Sequence, residues 1–337
     1  MIKVLLIHQH ANGRANGIVS HCHTLYHLFE DSQDINVLKP ENYPCRDIKV
    51  FNGLFYFKKL IKAMKESGAD IVHIHGYTTL QVGQALLAAA LCHKKIVYSP
   101  HWHPFHELRR PFMAKVFFYL TIVPLVKLLA SCCVCINKED TAFIKKLKKP
   151  VYTIPHCLAD YPKLSIDNEK KSMANGKKSI LFVGRFDAAN KGIDYLWHLP
   201  EGLYDIHLVG KGNITPRSDM HVHQNIPQEE LLQLYHDCSL VVVPSQYEAF
   251  SLVSLEALSM GTPVVMSNKV RIADYLENVD GVSIFNYGDY EGFCNAVQNS
   301  DNLHVDAKQI QSIFSKEAIR SQYVKLYKEA VFGLNTP

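Results

Sequence analysis

At 337 residues the chain exceeds one typical domain, so two are expected. A net charge of +4 is too small to demand nucleic acid as a partner, and an apolar fraction of 47 % supports sizeable cores. Nine cysteines without regular spacing argue against a disulfide framework and for buried thiols in a reducing compartment.

The N-terminus, Met1 to His8, is too short an apolar run for a signal peptide and reads as a first strand. Further strands are expected at 35–38, 48–51, 71–75, 95–99, 131–136 and 151–154, with helices near 18–29, 55–65, 80–91, 113–129 and 140–147. Apolar strands alternating with helices predict a parallel sheet covered on both faces. The longest apolar stretch, Phe112 to Ile136, is broken by Lys115, Pro124 and Lys127, so it reads as a buried or interfacial helix followed by a strand. Cys132, Cys133 and Cys135 crowd that strand, and alternation sends neighbours to opposite faces. Residues 160–178 are polar and weakly periodic and form the best linker in the chain.

Alternation then resumes, with strands expected at 179–184, 205–209, 221–224, 240–244, 263–266 and 282–285, and helices at 192–198, 228–237, 250–260, 271–277 and 290–298. Residues 315–332 read as one long amphipathic helix. The pattern predicts two doubly wound domains, whose ligands bind at the carboxyl ends of the strands, with a cleft between the domains as the natural place.

The stretch from Pro244 to Pro263 organises the second half. A buried strand turns into a helix that Gly261 closes. Glu248 falls in the turn, and Glu256 about two turns inside the helix. The first helix amides lack intrahelical partners and suit a phosphate. A carboxylate on either side of an anion suits a nucleotide-sugar, with phosphates in the middle and hydroxyls at both ends. Earlier, Val183-Gly184-Arg185-Phe186 leads to Lys191-Gly192. Arg185 offers a planar fork and Lys191 a mobile point charge, both suited to a diphosphate. In the first half, Gly13 and Gly17 make a loop before a helix where backbone can approach a phosphate, although a plain turn serves as well. His101, His103 and His106 crowd the end of the fifth expected strand. Pro100 and Pro104 forbid a regular helix there, and no cysteine or acidic group has ligand spacing, so a metal is not expected.

Val183-Gly184-Arg185-Phe186 with Lys191-Gly192, then Val209-Gly210-Lys211-Gly212, then Pro244-Ser245 with Glu248 and Glu256 in E-x7-E, resemble the retaining GT-B glycosyltransferases of family 4 (glycosyl transferases group 1). Ser99-Pro100-His101 and the glycine loop fit the same family's N-terminal domain. The resemblance implies an α/β, GT-B-like chain of two Rossmann-type domains facing across a cleft. The acceptor-binding domain would be 1–156, the linker 157–178 and the nucleotide-sugar domain 179–314, with a last helix, 315–337, packing back on the first domain. It also implies roles. Arg185 and Lys191 bind the donor diphosphate and stabilise the departing nucleotide. Glu248 holds the donor sugar's hydroxyls and Glu256 the ribose, with Gly184 and the amides near Ala249, Phe250, Ser251 and Leu252 around the phosphates. His101 lies near the reacting sugar and Gly17 near the phosphate.

No D-x-D occurs in the chain, which fits an enzyme without a metal cofactor, Arg185 and Lys191 standing in for the ion. The glycine loop lacks a Gly-Gly pair, and Ile154-Pro155-His156-Cys157 stands where an Asn-Gly pair is common in the family. From Leu91 to Pro150, eleven Lys or Arg stand against three Asp or Glu, interleaved with aromatics. A solvated helix face explains this, and so does a surface lying on anionic lipid. The expected activity is transfer of a hexose or N-acetylhexosamine from a UDP- or GDP-sugar to a glycan or lipid-linked glycan of a bacterial-type surface polysaccharide, in the cytoplasm against the inner face of the membrane. The rivals are a non-catalytic homologue that binds glycan or stabilises a partner, and a sugar-nucleotide epimerase.

Overall fold

The computed structural model describes residues 1–8, 17–38, 53–76, 79–101, 112–158 and 176–333. The strand expected at 48–51, the linker core, Gly13, His103 and His106 lie outside them. The chain divides into two compact units, Met1–Cys157 with Lys316–Pro337, and Leu158–Ser315.

The first unit runs β1 (Ile2–His8), α1 (Gly17–Leu28), β2 (Ile35–Leu38), α2 (Gly53–Glu66), β3 (Ile71–His75), α3 (Thr79–Leu91), β4 (Lys95–Ser99), α4 (Phe112–Leu129), β5 (Cys132–Cys135), α5 (Lys138–Lys145) and β6 (Val151–Thr153). Its six strands are all parallel, in the order β2-β1-β3-β4-β5-β6. Strand alternation sorts the side chains onto two cores. Leu5, Ile7, Val72, Ile74, Cys133 and Cys135 pack on one face; Val4, Leu6, Ile71, Cys132 and Val134 pack on the other. Burial pushes the Cys132 thiol up to about 12 and that of Cys133 higher still.

The second unit runs β7 (Lys178–Val183), β8 (Tyr204–Val209), β9 (Met220–His223), α6 (Gln228–Asp237), β10 (Leu240–Val243), α7 (Leu252–Ser259), β11 (Val264–Ser267), β12 (Val282–Phe285), α8 (Tyr290–Gln298) and α9 (Ala307–Ile313). Its sheet is also six-stranded and parallel, in the order β12-β11-β10-β7-β8-β9. Then α10 (Lys316–Phe332) returns to the first unit. There Ile319, Tyr323, Leu326 and Tyr327 pack beside Leu6, Ile71 and Val97.

Three departures from the expected elements have local causes. The helix expected at 192–198 is a 3-10 run, Ile193–His198, because Gly192 opens it in the left-handed region and Pro200 holds Leu199 extended. The helix expected at 271–277 is a 3-10 turn, Arg271–Tyr275. Its first amides are drawn to another loop, Arg271 N–H to Glu248 O (3.0 Å) and Ile272 N–H to Phe250 O (3.0 Å). The stretch before α10 holds α9, started by Asp306, whose carboxylate accepts from the amides of Lys308 and Gln309.

Among the described residues no helix is long and apolar enough to cross a membrane.

Candidate active site

In the second sheet the chain leaves β7 toward β8 and β9 on one side, then crosses to β10 and β11 on the other. The crevice beyond the carboxyl ends of β7 and β10 is therefore the topological switch point, where doubly wound sheets bind ligands. Gly184, Arg185 and Lys191 follow β7, and Ser245, Glu248 and Ser251 follow β10. Sequence places these two groups sixty residues apart; the parallel pairing of β7 with β10 brings them together.

Backbone joins the two loops closely. Gln246 N–H donates to Asn190 O at 2.8 Å. Gly192 sits at φ 67°, and a Cβ there would stand 2.0 Å from Pro244 O, so only glycine lets the loops meet. Lys191 Nζ then reaches Glu248 Oε1 at 2.5 Å, and Ser245 Oγ donates to the same oxygen at 3.1 Å. Both partners of this ion pair are half-buried. Arg185 is held differently. Its Nε and Nη2 donate to the two carboxylate oxygens of Asp187 at 3.0 and 2.9 Å, in the open. That bidentate bond raises the guanidinium pKa and lowers the carboxyl's.

The helix α7 begins two residues later than its sequence pattern implies. Ser251 is its cap, at φ 104°, accepting from the Ser254 amide at 3.2 Å. A serine in that region is strained, and such strain is held where surrounding structure over-determines it. Phe250, buried against Tyr275 and Phe314, provides that support. Among the described residues the amides of Leu252 and Val253 find no acceptor in the protein, so the helix points them outward as anion donors. Glu256 is the fifth residue of α7, about one turn in rather than two. It is half-buried, as are Ala249 and Leu252, and Gly261 ends the turn after α7 at φ 79°.

The first unit gathers imidazoles. Its switch point lies between β1 and β3. His75 ends β3, His101 follows β4, His21 comes from α1 and His156 follows β6. His75 Nδ1 stands 2.9 Å from His101 Nε2, and His21 Nδ1 stands 2.8 Å from His156 Nδ1. His73 lies beside His75, with its ring centroid 4.0 Å away. Its Nδ1 meets Tyr327 Oη at 2.9 Å and its Nε2 meets Ser99 Oγ at 2.8 Å. Burial pushes these rings down, His73 to about 3 and His156 to about 4. It holds His21, His75 and His101 well below the usual range as well, with neighbouring imidazoles adding to the effect. The whole cluster is neutral at neutral pH. His101 itself sits at φ 55°, left-handed for a non-glycine residue. Gly17 is the first residue of α1.

Residues 177–300 match the model of the family described as glycosyl transferases group 1. That stretch is a group 1 glycosyltransferase domain. It covers the whole switch-point site, Gly184 to Glu256. Over 321 residues the chain is 24 % identical to an uncharacterized 41.2 kDa protein in the cps region of Klebsiella pneumoniae, covering 84 % of this chain and 85 % of that one. It is 24 % identical over 309 residues to the Escherichia coli UDP-Gal:alpha-D-GlcNAc-diphosphoundecaprenol alpha-1,3-galactosyltransferase, covering 81 % and 75 %. Among solved structures, HepE of Anabaena in complex with UDP and glucose superposes with a TM-score of 0.70 at 14 % identity, covering 98 % of this chain and 100 % of that one. The fold of the chain is GT-B.

Of three residues that shape the switch-point site, Asp187 had no place in the sequence argument, and Ser245 and Ser251 were named there without the side-chain and backbone roles seen here. Asp187 holds Arg185, Ser245 holds Glu248, and Ser251 sits in the left-handed region. In the first unit the missed residues are His21, His75 and His156. The alternation His73-x-His75 on one strand was a usable signal, since residues two apart share a face.

Proposed function

We propose that this chain is a retaining glycosyltransferase of family 4. It moves a hexose or N-acetylhexosamine from a UDP- or GDP-sugar to a glycan or lipid-linked glycan in surface polysaccharide synthesis. The observation that carries the reading is the meeting, at one switch point of a group 1 domain, of two cations, a helix N-terminus and two carboxylates. The named relatives, a protein of a cps region and a galactosyltransferase acting on a diphosphoundecaprenol-linked sugar, support the acceptor class.

In the reaction the bond from the anomeric carbon to the diphosphate oxygen breaks, and the acceptor hydroxyl attacks on the same face and loses its proton. Negative charge grows on the leaving diphosphate. Arg185, Lys191 and the amides of Leu252 and Val253 stabilise that charge without needing a metal cofactor. Donors fixed in advance where charge develops are the largest lever such a site has, with about 10²–10³ in rate for one donor. Asp187 and Glu248 keep the two cations in place before the donor arrives. The diphosphate then takes over Arg185, while Glu248 turns to the sugar's hydroxyls and Glu256 to the ribose. Gly184 and the backbone of Ala249 to Leu252 line the phosphates, while the family resemblance assigns His101 to the reacting sugar and Gly17 to the phosphate.

For the membrane we propose peripheral contact. Phe117, Leu120 and Leu128 of α4 and Leu91 of α3 are exposed apolar side chains on the stretch of basic excess, and Leu87 of α3 is exposed just before it.

A thermal-shift screen against UDP, GDP, ADP and their sugar conjugates tests the donor reading, because a ligand bound only by the native state raises Tm. One nucleotide is expected to raise Tm in the wild type and to lose that effect in Lys191→Ala. An unchanged Tm with every nucleotide would sink the donor site and favour the non-catalytic homologue.

A further inference from the structure

Three of the imidazoles in the first unit have a geometry that the sugar-transfer reading leaves unused. His21, His75 and His101 come from a helix, a strand and a loop, and each offers a ring nitrogen within 4.8 Å of those of the other two. Their ring centroids stand 5.5, 5.0 and 5.2 Å apart. His75 is fully buried, and its Nε2 has no hydrogen-bond partner among the described residues, a cost that a bound ligand would remove.

We propose that His21, His75 and His101 bind one divalent transition-metal ion of the Zn²⁺, Co²⁺ or Ni²⁺ class. Three neutral imidazoles are a sufficient donor set for such an ion, with nitrogens at about 2.0–2.1 Å from the metal and so about 3.3 Å from one another. The present spacing closes to that by small ring rotations. Outer groups are already in place, as ligating imidazoles require. His156 sits on His21 at 2.8 Å, and His73, fixed by Tyr327 and Ser99, backs the ring of His75. Imidazole ligands select this class over Mg²⁺ and Ca²⁺, which prefer oxygen. Among the described residues no carboxylate belongs to the group, so a fourth position is left to water or an anion.

The ion is an inhibitor here, not a cofactor. It occupies His101, the group assigned above to the reacting sugar, and that consequence rests on the proposed function while the binding itself does not.

The test titrates Co²⁺ into chelator-stripped protein and follows the visible ligand-field bands of a tetrahedral site. One Co²⁺ per chain is expected, with affinity weakened at least about 10–100-fold in His75→Asn and in His101→Asn. Asparagine tolerates the left-handed backbone at position 101, so that variant is expected to keep its fold. His27→Asn, at an exposed histidine, should bind as the wild type does. X-ray absorption of the wild-type Co²⁺ complex should count three imidazoles, a readout independent of any variant's folding. Equal affinity in His101→Asn, no stoichiometric uptake, or a shell of oxygen ligands alone would overturn the site. Zn²⁺ should also inhibit transfer, reversibly on chelation. Bound Co²⁺ with unimpaired transfer would leave the metal site standing and refute the role of His101 in the reaction.

Discussion

At the carboxyl edge of the second sheet the candidate site side chains are charged, and the two cations each have a carboxylate: Arg185 with Asp187, and Lys191 with Glu248. At the matching edge of the first sheet they are neutral imidazoles, packed tilted or edge to face on one another, with His21, His73, His75 and His156 buried. Both sheets are six-stranded, parallel and doubly wound, so the architecture does not set the difference. Depth does. The charged groups ride on loops beyond the strands, where water screens them until a ligand arrives. His73 and His75 lie within a strand buried at every position, where a charged ring would be costly. One edge is built to receive charge, the other to exclude it.

The largest effect should separate catalysis from stability at the charged edge. Lys191→Ala is expected to lower turnover about 10²–10³-fold, the usual cost of one preorganised donor to a developing anion. Tm should barely move, because Glu248 keeps its bond from Ser245 and its backbone pairing with Lys269 and Arg271. Wild-type turnover in that variant would remove Lys191 from the diphosphate.

The imidazole edge should show the opposite split. His73→Phe removes both hydrogen bonds of a buried ring and strands Tyr327 Oη and Ser99 Oγ. Each unsatisfied buried group costs about 1–3 kcal/mol, so unfolding in urea should show a loss of about 2–6 kcal/mol. Since Tyr327 lies on α10, the loss loosens the final helix from the first sheet. A change within 0.5 kcal/mol, about what an inert surface substitution causes, would mean that His73 carries no structural load.

The same contrast governs what could be read from the chain. The charged edge was legible because its groups sit at fixed offsets in two short stretches. Glu248 and Glu256 are eight positions apart, and Arg185 and Lys191 are six apart, each after an apolar strand. The fold class was legible for a related reason, since strand and helix periods differ. The imidazole edge was not. Histidines at 21, 75, 101 and 156 share no spacing, and only the strand order β1-β3-β4 brings the middle pair together. The histidines of His101 to His106 are neighbours along the chain, whereas His75 and His101 are neighbours across the sheet. Also illegible was the start of α7. Hydrophobic period runs through Phe250, but backbone pairing of Phe250 with Ile272 stops the helix at Ser251.

Glu256→Ala sharpens the charged edge further. The carboxylate lies one turn inside α7, beyond the amides of Leu252 and Val253, and the proposed function assigns it to the ribose. A hydrogen bond to a charged group contributes about 1.5–3 kcal/mol, so nucleotide affinity should fall about 10–100-fold by isothermal titration. Turnover at saturating donor should fall much less. Unchanged affinity would take Glu256 out of the nucleotide site.

Ser251 gives the smallest effect and the finest distinction, because it combines a cap with a strained backbone. Ser251→Ala deletes the bond to the Ser254 amide and keeps a Cβ at φ 104°. The loss should be about 1 kcal/mol, the usual worth of a cap. Ser251→Gly also loses the bond but relieves the backbone, so its cost should be only a few tenths. Urea midpoints of the two variants therefore rank glycine above alanine. If the two are instead equal, the left-handed serine stores no strain, and the turn that presents the Leu252 and Val253 amides is held by its neighbours alone. Donor affinity discriminates the same pair. Strain that pre-sets those amides for phosphate predicts weaker nucleotide binding in Ser251→Gly than in the wild type, despite nearly unchanged stability.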